Sequence, residues 1–250
     1  MNHPLLLPLN WLLLQGLLLG LGSISLAWNL IALLLYPVLP RRTGRSIGRA
    51  AIALVYRLFW RVAGISGLLR MDAGALDALA EERGLILVAN HPSLLDALML
   101  VARLPRSACV MKAKLMHNPF LGPGARLARY IGNDSPHGMV RMAVADLREG
   151  GQLVMFPEGT RTTRQPLNPL RPGFALIAKR ADAPIQTVFI DTASPYLGKG
   201  WPLWRLPPLP IEFTVRLGRR FAPSSDPAAL VEEIERYFVI GVQPVPSLAP

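Results

Sequence analysis

Residues 1–40 of this 250-residue chain contain no Lys, Arg, Asp or Glu, and from Leu5 to Leu39 the stretch is dominated by Leu with interspersed Gly, Ala and Trp. A helix needs about 20 apolar residues to cross the hydrocarbon core of a bilayer. This run is long enough for one tilted span, the simpler reading, or for a bent re-entrant pair broken near Gly20, Gly22 and Ser23. The basic residues that lead a secretory signal are missing, and the apolar region is longer than such a signal carries. A buried helix of a soluble domain is the remaining alternative. Residues 1–40 are therefore read as a membrane anchor.

The first charges are Arg41, Arg42, Arg45 and Arg49, followed by Arg57, Arg61 and Arg70 among Val55, Tyr56, Leu58, Phe59 and Trp60. That pattern predicts a basic amphipathic helix over residues 41–70, with its cations on lipid phosphates in the headgroup region, or else a solvated helix face. By the positive-inside rule the cations stay cytoplasmic, which places the rest of the chain on the cytoplasmic face of the inner membrane. A net charge of +11 fits nucleic acid as well as an anionic membrane. No nucleic-acid recognition motif accompanies it, so no nucleic-acid partner is expected. Hydrophobic residues at 51% against 17% charged exclude a disordered chain. The single cysteine, Cys109, lies in an apolar run and reads as core packing; it permits no intrachain disulfide.

From residue 71 to 240 short apolar runs alternate with helical patterns, the signature of an α/β domain with helices across a sheet. Candidate strands are Leu85 to Ala89, Ala108 to Met111, Gln152 to Phe156, Ile185 to Ile190 and Ile211 to Leu217. The first four are nearly continuous apolar runs, as expected of strands buried on both faces. His137 to Glu149 reads as a helix closed by Gly150 and Gly151, and Asp226 followed by Pro227 starts another that runs to about Phe238. Pro195 to Pro210 reads as an irregular loop whose Trp201 and Trp204 suit a membrane interface. Residues 241–250 read as a tail.

Two segments carry chemistry. Asn90, His91, Pro92, Ser93, Leu94, Leu95 and Asp96 follow a buried strand directly. Pro92 suits the first position of a helix, which puts His91 on the strand-to-helix turn and Asp96 over a turn later. A His on that turn can fold back to Asp96; a carboxylate on one imidazole nitrogen fixes the tautomer and supports the imidazolium formed when the other takes a proton. His91 is then a general base. Phe156, Pro157, Glu158, Gly159, Thr160 and Arg161 close a second buried strand, and this turn suits an anionic or polyhydroxyl headgroup, with Arg161 forking onto it and Gly159 allowing close backbone approach. His3, His117 and His137 are assigned no role, and no His or Cys cluster argues for a metal.

These two blocks resemble the histidine-x4-aspartate and phenylalanine-proline-glutamate-glycine-threonine-arginine blocks of the lysophosphatidic acid and glycerolipid acyltransferase family. Arg171, Pro172, Gly173 and Phe174, then Ala183, Pro184 and Ile185, extend the resemblance, which covers about residues 60 to 220. It implies a glycerol-3-phosphate acyltransferase-like fold: a mixed, largely parallel sheet flanked by helices. It also implies acyl-CoA or acyl carrier protein as donor co-substrate, a lysolipid acceptor drawn from membrane lipids, and neither cofactor, metal nor covalent enzyme intermediate. His91 and Asp96 would be catalytic, and Glu158, Gly159, Thr160 and Arg161 would hold the acceptor. One departure stands out: Ile131, Gly132, Asn133, Asp134 and Ser135 occupy a block where members acylating lysophosphatidic acid usually carry an Arg credited with the acceptor phosphate. Lys112, Lys114 or Arg126 are the candidate replacements. A thioester or lipid-ester hydrolase and a non-catalytic lipid-binding membrane protein are the competing readings.

Overall fold

The computed structural model describes residues 6–242. The apolar N-terminus forms one helix, α1 (Leu7–Val38), followed at Pro40 by α2 (Arg41–Ile65). After β1 (Leu69–Asp72) come β2 (Leu85–Ala89), α3 (Asp96–Arg103), β3 (Ser107–Met111), α4 (Gly122–Leu127), β4 (Ile131–Gly132), α5 (Pro136–Arg148) and β5 (Gln152–Met155). The chain ends with α6 (Gly173–Ala181), β6 (Ile185–Asp191), β7 (Ile211–Phe221) and α7 (Pro227–Gly241). Asp226 caps α7 by accepting from the Ala228 and Ala229 N–H groups, as its sequence position requires.

The strands form one sheet in the order β1-β7-β6-β2-β5-β3-β4. β2 to β6 run parallel, β7 is antiparallel to β6, and β1 is parallel to β7. All five β2 residues are buried because alternate side chains serve two separate cores. Leu85, Leu87 and Ala89 join Phe59, Trp60, Met99 and Leu100 on one face, while Ile86 and Val88 join Ala143, Phe174, Ile177 and Phe238 on the other.

The sheet reverses its winding between β2 and β5. The connection from β2 passes through α3 on the first face to β3, whereas that from β5 passes through α6 on the second face to β6. The carboxyl ends of two neighbouring parallel strands thus open onto a crevice whose flanking chains diverge, the place where open α/β sheets bind ligands. His91 and Glu158 stand just beyond those two ends.

Three expectations are corrected here. The basic helix ends at Ile65 rather than residue 70, because Leu69 and Arg70 join the sheet, pairing in register with Ile211 and Glu212. Pro92 does not open a helix: residues 91–95 form a tight turn and α3 starts at Asp96, whose side-chain oxygen accepts from Ser93 N–H. Not all the arginines of the basic segment reach outward. Arg49 is buried, donating to Asp146 and to the Ala128 and Arg106 carbonyls; Arg45 also pairs with Asp146; Arg70 pairs with Glu212. Arg41, Arg42, Arg57 and Arg61 remain exposed. Beside them Ile47, Leu54, Leu58, Val62 and Ile65 line one side of α2 and are exposed, the amphipathic pattern expected of the segment. The tail lies outside the described residues from 243 onward.

α1 is long and apolar enough to cross a membrane, which indicates membrane association. It is also docked on the domain at two levels. Trp11 Nε1 donates to the Trp204 carbonyl and Gln15 Nε2 to the Leu203 carbonyl. Further along, Asn29 Nδ2 donates to the Phe120 carbonyl and Asn29 Oδ1 accepts from Gly124 N–H. Gly124 permits this approach, since a Cβ there would lie 2.8 Å from Trp28 Nε1.

Candidate active site

β2 delivers Asn90 at its end, and this side chain continues the sheet in place of backbone: Nδ2 donates to the Ile190 carbonyl at 2.9 Å and Oδ1 accepts from Ile190 N–H at 2.8 Å. The following turn is thereby fixed to β6. His91 Nδ1 lies 2.8 Å from Asp96 Oδ2, and Asp96, fully buried, also accepts from Ser93 N–H at 2.8 Å. Phe156, from the end of β5, stacks on the imidazole with centroids 4.1 Å apart and planes 22° apart. The ring is therefore held by a carboxylate at one edge and an aromatic on one face. Nε2 makes no hydrogen bond among the described residues, and the side chain keeps 17% exposure.

With Nδ1–H donated to Asp96, Nε2 carries the free lone pair. Burial pushes the Asp96 carboxyl above the usual carboxylate range, while the His91 hydrogen bond opposes that shift.

The second block meets the first through the backbone. His91 N–H donates to Glu158 Oε1 at 2.9 Å and the His91 carbonyl accepts from Thr162 N–H at 2.7 Å. Glu158, 3% exposed, also accepts from Thr162 Oγ1 and, through Oε2, from Asn168 N–H. Both carboxylate oxygens are engaged with the protein, so Glu158 stands behind the histidine rather than open toward a ligand. Arg161 is committed through one nitrogen only: Nη1 donates to the Leu197 and Gly198 carbonyls. Thr160 is half-buried in the same turn, with no side-chain hydrogen bond among the described residues.

Gly159 has φ +70°, a conformation that favours glycine, and an added Cβ would fall 2.6 Å from Arg171 Nε. The Arg171 side chain thus lies close against the Gly159 backbone. It is exposed, and makes no side-chain hydrogen bond or ion pair among the described residues. In the sequence Arg171 is legible only as part of a later block; its contact with Gly159 depends on the loop between them folding back, shown by Arg171 N–H donating to the Pro157 carbonyl. A third segment was also missed. The Tyr196 and Leu197 carbonyls accept from Ser93 Oγ and Leu94 N–H, which with the Arg161 contacts ties the 195–198 turn to both chemical blocks.

The positions proposed to replace the absent Arg divide. Lys112 follows β3 at the same sheet edge and is exposed, as is Lys114, whereas Arg126 is engaged with the Met116 carbonyl. Residues 131–135 supply β4 and the α5 cap, Ser135 Oγ accepting from Gly138 N–H, and no cation. His117 and His137 lie on a short turn of helix and the first turn of α5, and His3 lies outside the described residues. Cys109 is buried and its thiol is pushed up to about 12 by burial, as suits core packing.

Residues 71–191 match the protein family described as Acyltransferase. The chain is 32% identical over 139 residues to the human 1-acyl-sn-glycerol-3-phosphate acyltransferase beta, an alignment covering 51% of this chain and 49% of that protein. It is 27% identical over 198 residues to the 1-acyl-sn-glycerol-3-phosphate acyltransferase of Limnanthes alba, covering 75% of this chain and 66% of the relative. The chain thus spans about half the length of the first relative and just under two thirds of the second. Among solved structures, the 1-acyl-sn-glycerophosphate (LPA) acyltransferase PlsC of Thermotoga maritima superposes with TM-score 0.66 over 93% of this chain and 95% of its own, at 18% identity, a likeness of fold.

Proposed function

The chain belongs to the acyltransferase family, and we propose that it transfers a fatty acyl group from a thioester donor, acyl-CoA or acyl carrier protein, to a hydroxyl of a lysolipid such as 1-acylglycerol-3-phosphate. The observation that carries this reading is the His91 Nδ1 to Asp96 Oδ2 contact of 2.8 Å at the mouth of the β2/β5 crevice, with Nε2 left open. His91 Nε2 removes the acceptor's hydroxyl proton as the oxygen attacks the thioester carbonyl. Asp96 supports the imidazolium, and the proton then leaves with the departing sulfur as a thiol. Phe156 keeps the ring in plane, and Glu158 and Thr162 keep its backbone in register. The chemistry needs no cofactor beyond the thioester co-substrate.

The acceptor's charge meets the turn on the other side of Glu158. Arg161 has one nitrogen committed to Leu197 and Gly198, so we assign the free charge for a phosphate to Arg171 against Gly159, with Lys112 at the same edge. Arg171 stands in the role for which the 131–135 block offers no side chain.

The same reading puts the protein at the cytoplasmic face of the inner membrane, where the exposed arginines of α2 meet anionic lipid headgroups. α1 is docked from Trp11 to Asn29, about 27 Å of helix. A span normal to the bilayer would carry both docking loops through a hydrocarbon core of about 30 Å. We therefore favour α1 embedded along one leaflet over a single crossing.

The test is acyl transfer by purified, detergent-solubilised wild type and His91→Ala, offering labelled acyl-CoA and acyl carrier protein against a panel of lysolipids, with products identified by mass spectrometry. An acylated lipid from wild type and a loss of about 10³-fold or more in the variant is the expected result. Free fatty acid without acylated lipid, or an undiminished His91→Ala, overturns it.

A further inference from the structure

The segment between β6 and β7 presents Leu203 and Trp204 to solvent, 53% and 72% exposed. They do not sit on a slack loop. Trp201 N–H donates to the Gly198 carbonyl, Arg205 N–H to the Pro202 carbonyl and Trp201 Nε1 to the Arg205 carbonyl, while the Arg205 guanidinium lies 4.8 Å over the Trp201 ring. A hydrogen-bonded turn thus holds a large aromatic and a leucine outward in water, which is unfavourable unless another phase covers them.

The turn is joined to α1 by the Trp11 and Gln15 hydrogen bonds to the Trp204 and Leu203 carbonyls. Leu9, Leu12 and Leu13 beside that junction are exposed as well. The apolar tip therefore continues the uncovered face of a helix with no charged residue. Its own charges point to the same partner: from Thr192 to Pro210 the sequence holds Lys199 and Arg205 and no acid. Indole, leucine and flanking cations form the set that enters a headgroup region of anionic lipid.

Resting on the lipid-acceptor reading above, we propose that the Trp201–Arg205 turn is a second bilayer-contacting element, inserted into an anionic membrane surface together with the N-terminal half of α1. The consequence is local. Residues 195–198, immediately before the turn, hold Ser93, Leu94 and Arg161, so the element that enters the membrane adjoins the wall of the crevice that receives a lipid.

A nitroxide on Leu203→Cys reads this directly, because Cys109 is buried and escapes labelling. The full chain is reconstituted in bilayers of phosphatidylcholine with phosphatidylglycerol, and label accessibility to oxygen and to a water-soluble nickel chelate is compared with Ala228→Cys on α7. Oxygen-accessible, nickel-protected spectra at 203 and the reverse at 228 are expected; water-like accessibility at 203 overturns the proposal. In parallel, Trp204→Asp should slow transfer to a long-chain lysolipid in vesicles by about tenfold while sparing a dispersed short-chain lysolipid, with Trp204→Phe restoring the vesicle rate. Equal loss on both acceptors would overturn it, by showing that the residue acts on the site itself. If wild type acylates neither acceptor, the functional reading fails, while the spin label still decides the surface.

Discussion

His91 gives its main-chain N–H to Glu158 Oε1 at 2.9 Å, so the proposed base beyond the end of β2 is held by a carboxylate from beyond the end of its neighbour β5. Glu158→Ala removes the acceptor for His91 N–H, Thr162 Oγ1 and Asn168 N–H together. We expect kcat to fall about a hundredfold, since small misplacement of a base costs that much, with the acceptor KM changed far less. Unsatisfied buried donors should also cost about 1–3 kcal/mol of stability each. A steady-state kcat against KM split, with a thermal melt, checks this; a rise confined to acceptor KM would make Glu158 a ligand instead.

Asp96 yields a pH prediction with a definite sign. Burial raises its folded-state pKa above the unfolded value. A carboxyl so raised favours the fold fully below its unfolded pKa, and that contribution is lost as pH rises through the folded pKa. Asp96→Asn cannot ionise, so its melting temperature should gain on wild type as pH climbs from acid to neutral. Activity should do the opposite, falling about 10³-fold or more at every pH, because the amide no longer supports the imidazolium. Parallel melts and pH–rate profiles of the two proteins decide it; a stability difference that is flat with pH would remove the burial argument.

Much of this was legible in order along the chain and little of it across the chain. β2, β5 and β6 were readable because strands buried on both faces are nearly continuous apolar runs, and α7 because Asp226 and Pro227 announce its start. β1 escaped because Leu69–Asp72 is short and half-exposed, and is a strand only by pairing with β7 more than a hundred residues later. β4 has two residues and no pattern at all. At the site, the His91–Asp96 contact lies within five residues and could be inferred, whereas the turning of Arg49 inward needed Asp146, 97 residues away. Likewise Glu158 looked like a ligand because nothing local shows that its oxygens already have donors.

Cys109 should be chemically silent in the folded protein. Its thiol is buried and pushed up to about 12, so almost no thiolate is present near neutral pH. Native protein should resist iodoacetamide and label only in denaturant, and Cys109→Ala should keep its acyl-transfer rate while losing some packing stability. Fast labelling of native protein with loss of activity would reopen a thiol in the chemistry.

Arg171 and Arg161 separate acceptor recognition from scaffolding. Arg161→Ala frees the Leu197 and Gly198 carbonyls and should lower the melting temperature as well as activity toward every acceptor. Arg171→Ala breaks no hydrogen bond among the described residues, so the melt should hardly move. Its effect should be confined to acceptors with a phosphate: a charge-assisted contact is worth about 1.5–3 kcal/mol, so KM for lysophosphatidic acid should rise about tenfold to a hundredfold. Monoacylglycerol, lacking the phosphate, should be acylated by Arg171→Ala at the wild-type rate. Arg171→Lys tests geometry apart from charge, because an ammonium cannot present the planar fork that lies against Gly159. Equal losses on the phosphorylated and the neutral acceptor would show that Arg171 shapes the turn, and would return the phosphate to Lys112.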